Sequence, residues 1–238
     1  MKPSSHSSIP SDGSHHTQPK KPAARPAVPV NLDVRAYFAE GAPDNSQPWL
    51  LNPEIPSPDE IMGTGSETEF VDLLPNRIVG PWSPKNEYLK AHYELLREDA
   101  VAPLRDAVAY FREDPDIQDM NIVSIYEKVC VATRIQFSTI RSGKNIVWEY
   151  SKRLRTGTIV ALSPSDDSFR NKCVVAVVAA RPLNGVKQHP PEIDIYFARS
   201  IDADFDPHQE WVMVEARDGY FESMRHTMTA LQKMSRER

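Results

Sequence analysis

Apolar side chains between residues 84 and 115 recur every three to four positions, which is typical of an amphipathic helix. Ser83 suits the N-cap, and Pro84 suits the first helical position because the N–H that proline lacks would be unpaired there. Pro103 interrupts the pattern before it resumes, so we expect a second helix or a kinked continuation that ends by Pro115. The predicted apolar face comprises Tyr88, Leu89, His92, Leu95, Leu96, Leu104, Ala107, Val108 and Phe111, and the polar face comprises Lys90, Glu94, Arg97 and Glu98.

After Pro115 the period shortens from about 3.6 to about 2 residues and β-branched residues become frequent, which predicts strands. Six strands are predicted, at residues 122–129, 131–138, 158–162, 173–180, 193–197 and 211–214. Because no helical pattern separates them, they indicate a small antiparallel barrel or sandwich. A last apolar stripe, which includes Phe221, Met224 and Met228, predicts a C-terminal helix at about residues 218–234.

The N-terminal third differs in composition from the rest of the chain. It holds 14 of the 21 prolines before residue 85. Residues 1–30 have too few aliphatic side chains to offset the entropy of ordering, which predicts disorder. Residues 31–74 carry nine acidic residues and one basic residue, with short apolar islands around Phe38 and Trp49. These islands are consistent with docking motifs for a partner and equally with an extended arm laid over the folded body.

Together these patterns predict an α+β fold in four parts. Residues 1–74 form a disordered or extended N-terminal arm, and residues 75–116 form a helical stalk. Residues 117–216 form a small antiparallel β-barrel that acts as an accessory domain, and residues 217–238 form the C-terminal helix of the stalk.

Sequence motifs for catalysis and metal binding are absent. No G-x-x-x-x-G-K-[ST] loop is present to wrap phosphates, and neither G-x-S-x-G nor H-E-x-x-H occurs. Cys130 and Cys173 are too few for a disulfide framework or a cysteine-based zinc site, and both are predicted to be buried thiols. We therefore expect no catalytic residue, no metal, no cofactor and no enzymatic activity. No apolar run approaches about 18 residues, which predicts a soluble protein of the nucleus or cytoplasm with no membrane partner.

Basic residues are concentrated between residues 134 and 155. This segment holds six basic residues and one acidic residue, although the whole chain has 28 Lys+Arg against 33 Asp+Glu. Aromatic rings such as Tyr150 can stack on bases while cations neutralise phosphates, whereas Trp148 is predicted to be a core residue. The alternatives are a basic face that keeps the barrel soluble, or one that docks on the acidic residues 31–74. The predicted nucleic-acid-binding residues are Arg141, Lys144, Lys152, Arg153 and Arg155.

Several strings occur together and in order: YL at 88–89, LLRED at 95–99, VAPLR at 101–105, WEYSKRL at 148–154, GTIVALS at 157–163, VMVE at 212–215, YFE at 220–222 and ALQ at 230–232. In this combination, residues 74–232 resemble the segment that precedes the motor core of NF-X-type zinc-finger RNA helicases, which are relatives of the Upf-like superfamily 1 helicases. The resemblance implies a helicase-accessory region whose helices brace the first motor domain and whose β-barrel touches RNA.

The same resemblance implies which modules to expect elsewhere. Members of this family continue into a phosphate-binding loop and into cysteine-rich zinc fingers, whereas this sequence stops at Arg238. The ATPase and zinc modules are therefore expected to be missing. The family is associated with RNA silencing, heterochromatin and antiviral RNA sensing, which the resemblance offers as contexts for this chain.

Three functional hypotheses follow. The first is a non-catalytic RNA-binding or helicase-accessory module, with RNA and a helicase core or RNA-silencing proteins as partners. The second is a protein-interaction fragment that docks on a separate helicase core or silencing complex through Leu95, Leu96, Val108 and Phe111. The third is an enzyme of an unrecognised type, for which the sequence supplies neither a nucleophile–base pair nor a metal set.

Overall fold

The computed structural model describes residues 45–64, 73–80, 82, 84–115, 121–129, 132–139, 145–199, 202, 208–216 and 221–237. All of them belong to a single unit, residues 34–238. Within these ranges the chain has five helices and six strands, which confirms the predicted α+β class. No described helix is both long enough and apolar enough to cross a membrane.

Six antiparallel strands close into a small barrel, as the alternating pattern predicted. Their order around the barrel is β1-β2-β5-β4-β3-β6. The seam between β1 and β6 is short, with Asn121 opposite Val212 and Ile122 opposite Trp211. Each strand lies within two residues of its predicted bounds. The strands are β1 (Asn121–Val129), β2 (Ala132–Ser138), β3 (Ile159–Pro164), β4 (Val174–Ala180), β5 (Glu192–Phe197) and β6 (Trp211–Glu215).

One side of the barrel is buried on both faces of its strands. On β3, Val160 and Leu162 belong to the core inside the barrel, whereas Ile159 and Ala161 belong to a second core outside it. This division follows from the two-residue period of a strand, which sends successive side chains to opposite faces. All six residues of β3 are buried as a result. The helices therefore cover β3 and its neighbours.

The helices that form the second core include the two that the sequence predicted. The five helices are α1 (Pro48–Leu51), α2 (Pro58–Met62), α3 (Lys85–Glu113), α4 (Leu183–Val186) and α5 (Phe221–Arg236). Of the two forms predicted for the stalk, α3 is the continuous one, because it runs through Pro103 without ending. Val101 and Leu104, on either side of Pro103, are fully buried, and their packing offsets the hydrogen bond that proline cannot make. Pro84 is the N-cap of α3 rather than its first residue.

The buried face of α3 differs from the predicted one at its N-terminal half. Leu89 and Tyr93 are buried, whereas Tyr88 lies at the surface. Arg97, which the periodicity placed on the polar face, is only 6% exposed. The prediction was wrong there because the partners of Arg97 come from a segment that carries no helical pattern.

That segment is residues 45–64, which we call the strap. The prediction of a disordered or extended arm is wrong for this part of residues 1–74, because the strap contains α1 and α2. Trp49, Leu50 and Ile61 are buried in the same core as α3. Tertiary burial of these side chains is what allows such short helices to form in a proline-rich sequence. Of the two readings of the Trp49 island, the structure shows chain laid over its own body, and the Phe38 island lies outside the described residues.

Arg97 fastens the strap to α3 with four hydrogen bonds. Its Nε and Nη2 donate to the two carboxylate oxygens of Glu60, both at 2.9 Å. Its Nη1 donates to the carbonyl oxygens of Pro53 at 2.9 Å and Glu54 at 3.0 Å. Such a forked arginine–carboxylate pair is both strong and orientation-specific. Glu60 also closes a capping box with Ser57, so one carboxylate starts α2 and anchors it.

Helix α5 holds the strap from the other side. Gln232 Nε2 donates to the carbonyl oxygens of Trp49 at 2.9 Å and Asn52 at 3.2 Å. Arg236 donates to the carbonyl oxygen of Leu50, and Arg225 forms an ion pair with Glu54. The strap therefore connects α3 and α5, which are distant in sequence, into one layer against the barrel.

We expect Arg97→Met to lower the free energy of unfolding by about 3 kcal/mol, because it leaves a partly buried Glu60 carboxylate and two carbonyl groups without their donor. The matched control is Arg112→Met on the same helix, since Arg112 is exposed and makes one long bond of 3.4 Å to the strap at Met62. This control should change stability by about 0.5 kcal/mol or less. Urea unfolding of both variants measures the difference, and equal losses would contradict the role assigned to Arg97.

Candidate nucleic-acid interface

The five predicted nucleic-acid-binding residues fall into three groups in the structure. Arg141 and Lys144 lie outside the described residues. Lys152 and Arg155 are exposed, whereas Arg153 is half-buried and paired. The last three belong to residues 151–157, which lead into β3 and which we call the basic loop.

A tight turn holds the chain just before the basic loop. The amides of Tyr150 and Ser151 both donate to the carbonyl oxygen of Val147, at 3.1 and 3.0 Å. Trp148 inside this turn is 7% exposed, and its ring packs nearly perpendicular to that of Phe137 in the barrel core at a centroid distance of 6.0 Å. This confirms the prediction that Trp148 is a core residue. The ring anchors the turn to the barrel.

Glu215, the last residue of β6, anchors the middle of the basic loop. Its carboxylate accepts hydrogen bonds from the backbone amide of Leu154 and from Arg153 Nε, the latter at 3.2 Å. Leu154 has a φ of 49°, a left-handed conformation that is costly for a leucine. Its side chain is fully buried, so packing and the bond to Glu215 together hold this conformation. Arg153 therefore stabilises the conformation of the loop through its bond to Glu215.

Arg181, which follows β4, anchors the same loop from a second direction. Its Nη1 donates to the carbonyl oxygens of Ser151 at 3.2 Å and Arg153 at 2.8 Å. Burial lowers the pKa of the Arg181 guanidinium, and the nearby charge of Arg155 lowers it further. Sequence reasoning missed Arg181 because it lies far along the chain from the basic cluster. Only the barrel topology brings it beside the loop.

Ion pairs reduce the charge that the sequence assigned to residues 134–155. Arg134 forms a forked pair with Asp194 on β5, at 2.8 and 3.2 Å. The acid of the cluster, Glu149, is paired with Lys187. Lys152 and Arg155 form no ion pair with any other residue that the structure describes. They are the two cations of the predicted set that the described structure offers to a ligand.

The strap forms no ion pair with Lys152 or Arg155 among the described residues. One alternative reading was that the basic cluster docks on the acidic residues 31–74 of the same chain. Within the described part of that stretch, Glu60 pairs with Arg97 on α3 and Glu54 pairs with Arg225 on α5. Glu60 and Glu54 thus bind the stalk helices rather than Lys152 or Arg155.

The basic loop also sits directly against the first turn of α5. Gly157 has a φ of 86°, and a Cβ placed on it would lie 2.5 Å from the Cβ of Glu222. Its amide donates to the carbonyl oxygen of Val178 at 2.8 Å, which ties the loop to β4. Glycine is needed here both for the left-handed backbone and for the close approach of the helix. The loop is therefore wedged between β4, β6 and α5.

Among the described residues, no group of three or more His, Cys, Asp or Glu side chains could hold a metal. Cys173 is buried, as predicted, and burial raises the pKa of its thiol to about 12. A thiol with so high a pKa is a poor nucleophile. Cys130 lies outside the described residues.

We expect Gly157→Ala to destabilise the protein more than Gly80→Ala. Gly80 has a similar φ of 83° but nothing within 4 Å of its Cβ position, so it isolates the backbone cost of about 1–2 kcal/mol. Gly157→Ala adds the clash with Glu222, which overpacking data place at about 1–3 kcal/mol more. Thermal or urea unfolding distinguishes the two variants. Equal destabilisation would mean that α5 does not seat against the loop.

A pH experiment tests the burial of Glu215. Burial raises the pKa of its carboxyl, against the opposing effects of the Leu154 amide and Arg153. The folded chain therefore holds this proton more tightly than the unfolded chain, so the contribution of Glu215 to stability falls as pH rises above about 4.3, the ordinary glutamate value. Since glutamine does not titrate, the stability of the wild type relative to Glu215→Gln should decline as pH rises toward neutrality.

Asp167→Asn provides a control of opposite sign. Burial raises the pKa of Asp167, but hydrogen bonds from the Lys172 and Asn171 amides outweigh this effect and lower it. The stability that Asp167 contributes is present above its unfolded pKa of about 3.9 and is lost as pH falls through the lower folded value. The stability of the wild type relative to Asp167→Asn should therefore increase with pH. The same sign for both variants would contradict the geometry at Glu215.

Comparison with known proteins places the barrel in a family. Residues 119–217, which contain all six strands, match the family model of the ZNFX1 domain. A relative from Schizosaccharomyces pombe, named helicase required for RNAi-mediated heterochromatin assembly 1, is 37% identical over 198 residues, which cover 79% of this chain and 19% of the relative. Human NFX1-type zinc finger-containing protein 1 is 29% identical over 224 residues, or 87% of this chain and 11% of the relative.

The mouse protein of the same name is 30% identical over 181 residues, which cover 69% of this chain and 9% of the relative. This chain thus spans a fifth or less of the length of these curated relatives. No solved structure matches it. The matches confirm the resemblance read from the sequence strings. Residues 119–217 thus form a ZNFX1 domain, and the chain is similar to segments of the fission yeast helicase and of the mammalian NFX1-type zinc finger-containing proteins.

Proposed function

We propose that this chain is a non-catalytic RNA-binding module of a helicase, in which Lys152 and Arg155 contact phosphates. The observation that supports this most is the contrast between these two cations and their neighbours. Both are exposed on a loop whose backbone is anchored at Glu215 and Arg181, whereas Arg134 and Arg153 are paired with acids. Because the backbone of the loop is held in place and the two cations form no ion pair with another described residue, a polyanion can bind them at a reduced ordering cost.

The relatives suggest the context in which such a module acts. The fission yeast relative is named for a helicase required for RNAi-mediated heterochromatin assembly. We infer that this chain serves RNA silencing, in the nucleus or cytoplasm, beside a helicase core that supplies nucleotide hydrolysis. Arg141 and Lys144, which precede the basic loop in the sequence, would add further phosphate contacts.

A second candidate function is docking on a helicase core or silencing complex. Of the four residues predicted for it, Val108 and Phe111 are buried in the chain's own core, whereas Leu95 and Leu96 are half-buried. The observation that favours docking lies elsewhere, just before α3. There Ile78 is 96% exposed and Val79 is 80% exposed, so two neighbouring apolar side chains face solvent.

The RNA-binding proposal predicts how affinity depends on salt. The double variant Lys152→Ala/Arg155→Ala should bind a labelled oligoribonucleotide more weakly, and the slope of log affinity against log salt should flatten by about 0.7 for each lost phosphate contact. Fluorescence anisotropy over a salt series measures both quantities.

The matched control is Arg170→Ala/Lys233→Ala, which removes the same charge from exposed positions elsewhere. Arg170 lies between β3 and β4, at the end of the barrel opposite the basic loop. This control should leave the slope unchanged. Equal losses in both double variants would mean that binding follows net charge and not this loop, which would sink the proposal.

A further inference from the structure

Tyr150 is an exposed aromatic ring beside the cations of the basic loop. Its side chain is 87% exposed, which is extreme for a tyrosine, and neighbouring Val147 is 59% exposed. Isolated apolar side chains at the surface are ordinary and need no functional account. What sets Tyr150 apart is the support beneath it and the charge around it.

The backbone that carries Tyr150 is fixed on both sides. Its own amide and that of Ser151 bond to the carbonyl oxygen of Val147, and Trp148 inside the turn is buried in the barrel core. After the turn, Arg181 holds the carbonyl oxygen of Ser151 at 3.2 Å. A ring on so rigid a base loses little conformational entropy when a ligand covers it, because only its own two torsions remain to be ordered.

The electrostatic surroundings of the ring also suit a nucleotide. The adjacent acid, Glu149, is paired with Lys187, and this lysine lowers the pKa of the Glu149 carboxyl. On the other side, Lys152 follows two residues later, so its Cα lies at most about 7 Å from that of Tyr150. The four-carbon side chain of Lys152 is long enough to span that distance. An apolar platform thus lies close in sequence to a cation, and the carboxylate of the adjacent residue is paired.

We propose that Tyr150 is a base-stacking residue, which receives an unpaired base while Lys152 and Arg155 bind the flanking phosphates. This inference rests on the proposed RNA-binding function and names the structural class of RNA that the surface takes. The face of a base is accessible to a side chain only where the strand is unpaired, since in a duplex each base is covered by its neighbours. Stacking on an aromatic ring contributes about 1–3 kcal/mol per base.

The test uses the full chain and two labelled probes, an oligouridine strand of about 12 nucleotides and an RNA duplex of the same length. Tyr150→Ala should weaken binding to the single strand by about 5- to 150-fold, which is the stacking energy converted to affinity. It should leave duplex binding and the salt slope unchanged. Tyr150→Phe keeps the ring and should bind as the wild type does.

Two further variants separate stacking from other causes. Tyr110→Ala removes an exposed tyrosine from α3, 51% exposed, and should leave single-strand binding unchanged. Tyr150→Leu keeps an apolar side chain without a ring and should behave like Tyr150→Ala. Thermal unfolding of each variant checks that the fold is intact.

The outcomes distinguish this inference from the function on which it rests. If Lys152→Ala/Arg155→Ala weakens binding and Tyr150→Ala does not, the RNA-binding proposal stands and the stacking role is refuted. Equal losses for single strand and duplex, or a loss for Tyr150→Phe as large as for Tyr150→Ala, also refute stacking. If the wild type binds neither probe, the RNA-binding proposal and the stacking role are both overturned.

Discussion

The buried Glu215 carboxylate is the interaction on which the presentation of the basic loop depends. It stands at the end of β6, where a charged group buried without partners would be strongly unfavourable. Arg153 and the Leu154 amide satisfy it, and in doing so they fix the loop backbone in a conformation that leucine rarely adopts. The loop cannot relax without leaving that carboxylate unpaired. Lys152 and Arg155, on either side, are thereby held outward.

Arginines elsewhere in the chain do similar structural work. Arg97 joins the strap to α3, Arg225 joins it to α5, and Arg181 holds two carbonyl groups of the basic loop. In each case a guanidinium with several donors connects segments that are distant in the sequence. A count of positive charge therefore overstates what is offered to a ligand. Cations that are paired within the fold must be distinguished from cations that remain exposed to a ligand.

The elements with a strong period could be predicted from the sequence, and those held by tertiary contacts could not. All six strands, α3 and α5 followed from periodicity and turn residues. The strap did not, because Trp49, Leu50 and Ile61 show no repeat and become helical only against α3 and α5. Arg97 was misplaced for the same reason, since its partner Glu60 lies 37 residues away.

For the candidate site, the cluster of basic residues could be predicted from the sequence, but which of them are paired and which are exposed could not. That Lys152 and Arg155 are exposed while Arg153 is paired depends on Glu215, which lies 62 residues from Arg153 along the chain. Arg181 was missed because only the pairing of β3 with β4 brings it to the loop. The close contact between Gly157 and Glu222 could not be predicted either, because a single glycine before a strand can serve many structural roles.

Backbone amide chemical shifts of the isotope-labelled chain, recorded as single-stranded RNA is added, show which surface the RNA contacts. If the basic loop is that surface, perturbations concentrate at Tyr150, Lys152 and Arg155 and at the loop amides between them, with Arg170 and Lys172 at the far end of the barrel unaffected. Perturbations confined to that far end or to α3 and α5, with a silent basic loop, would contradict it.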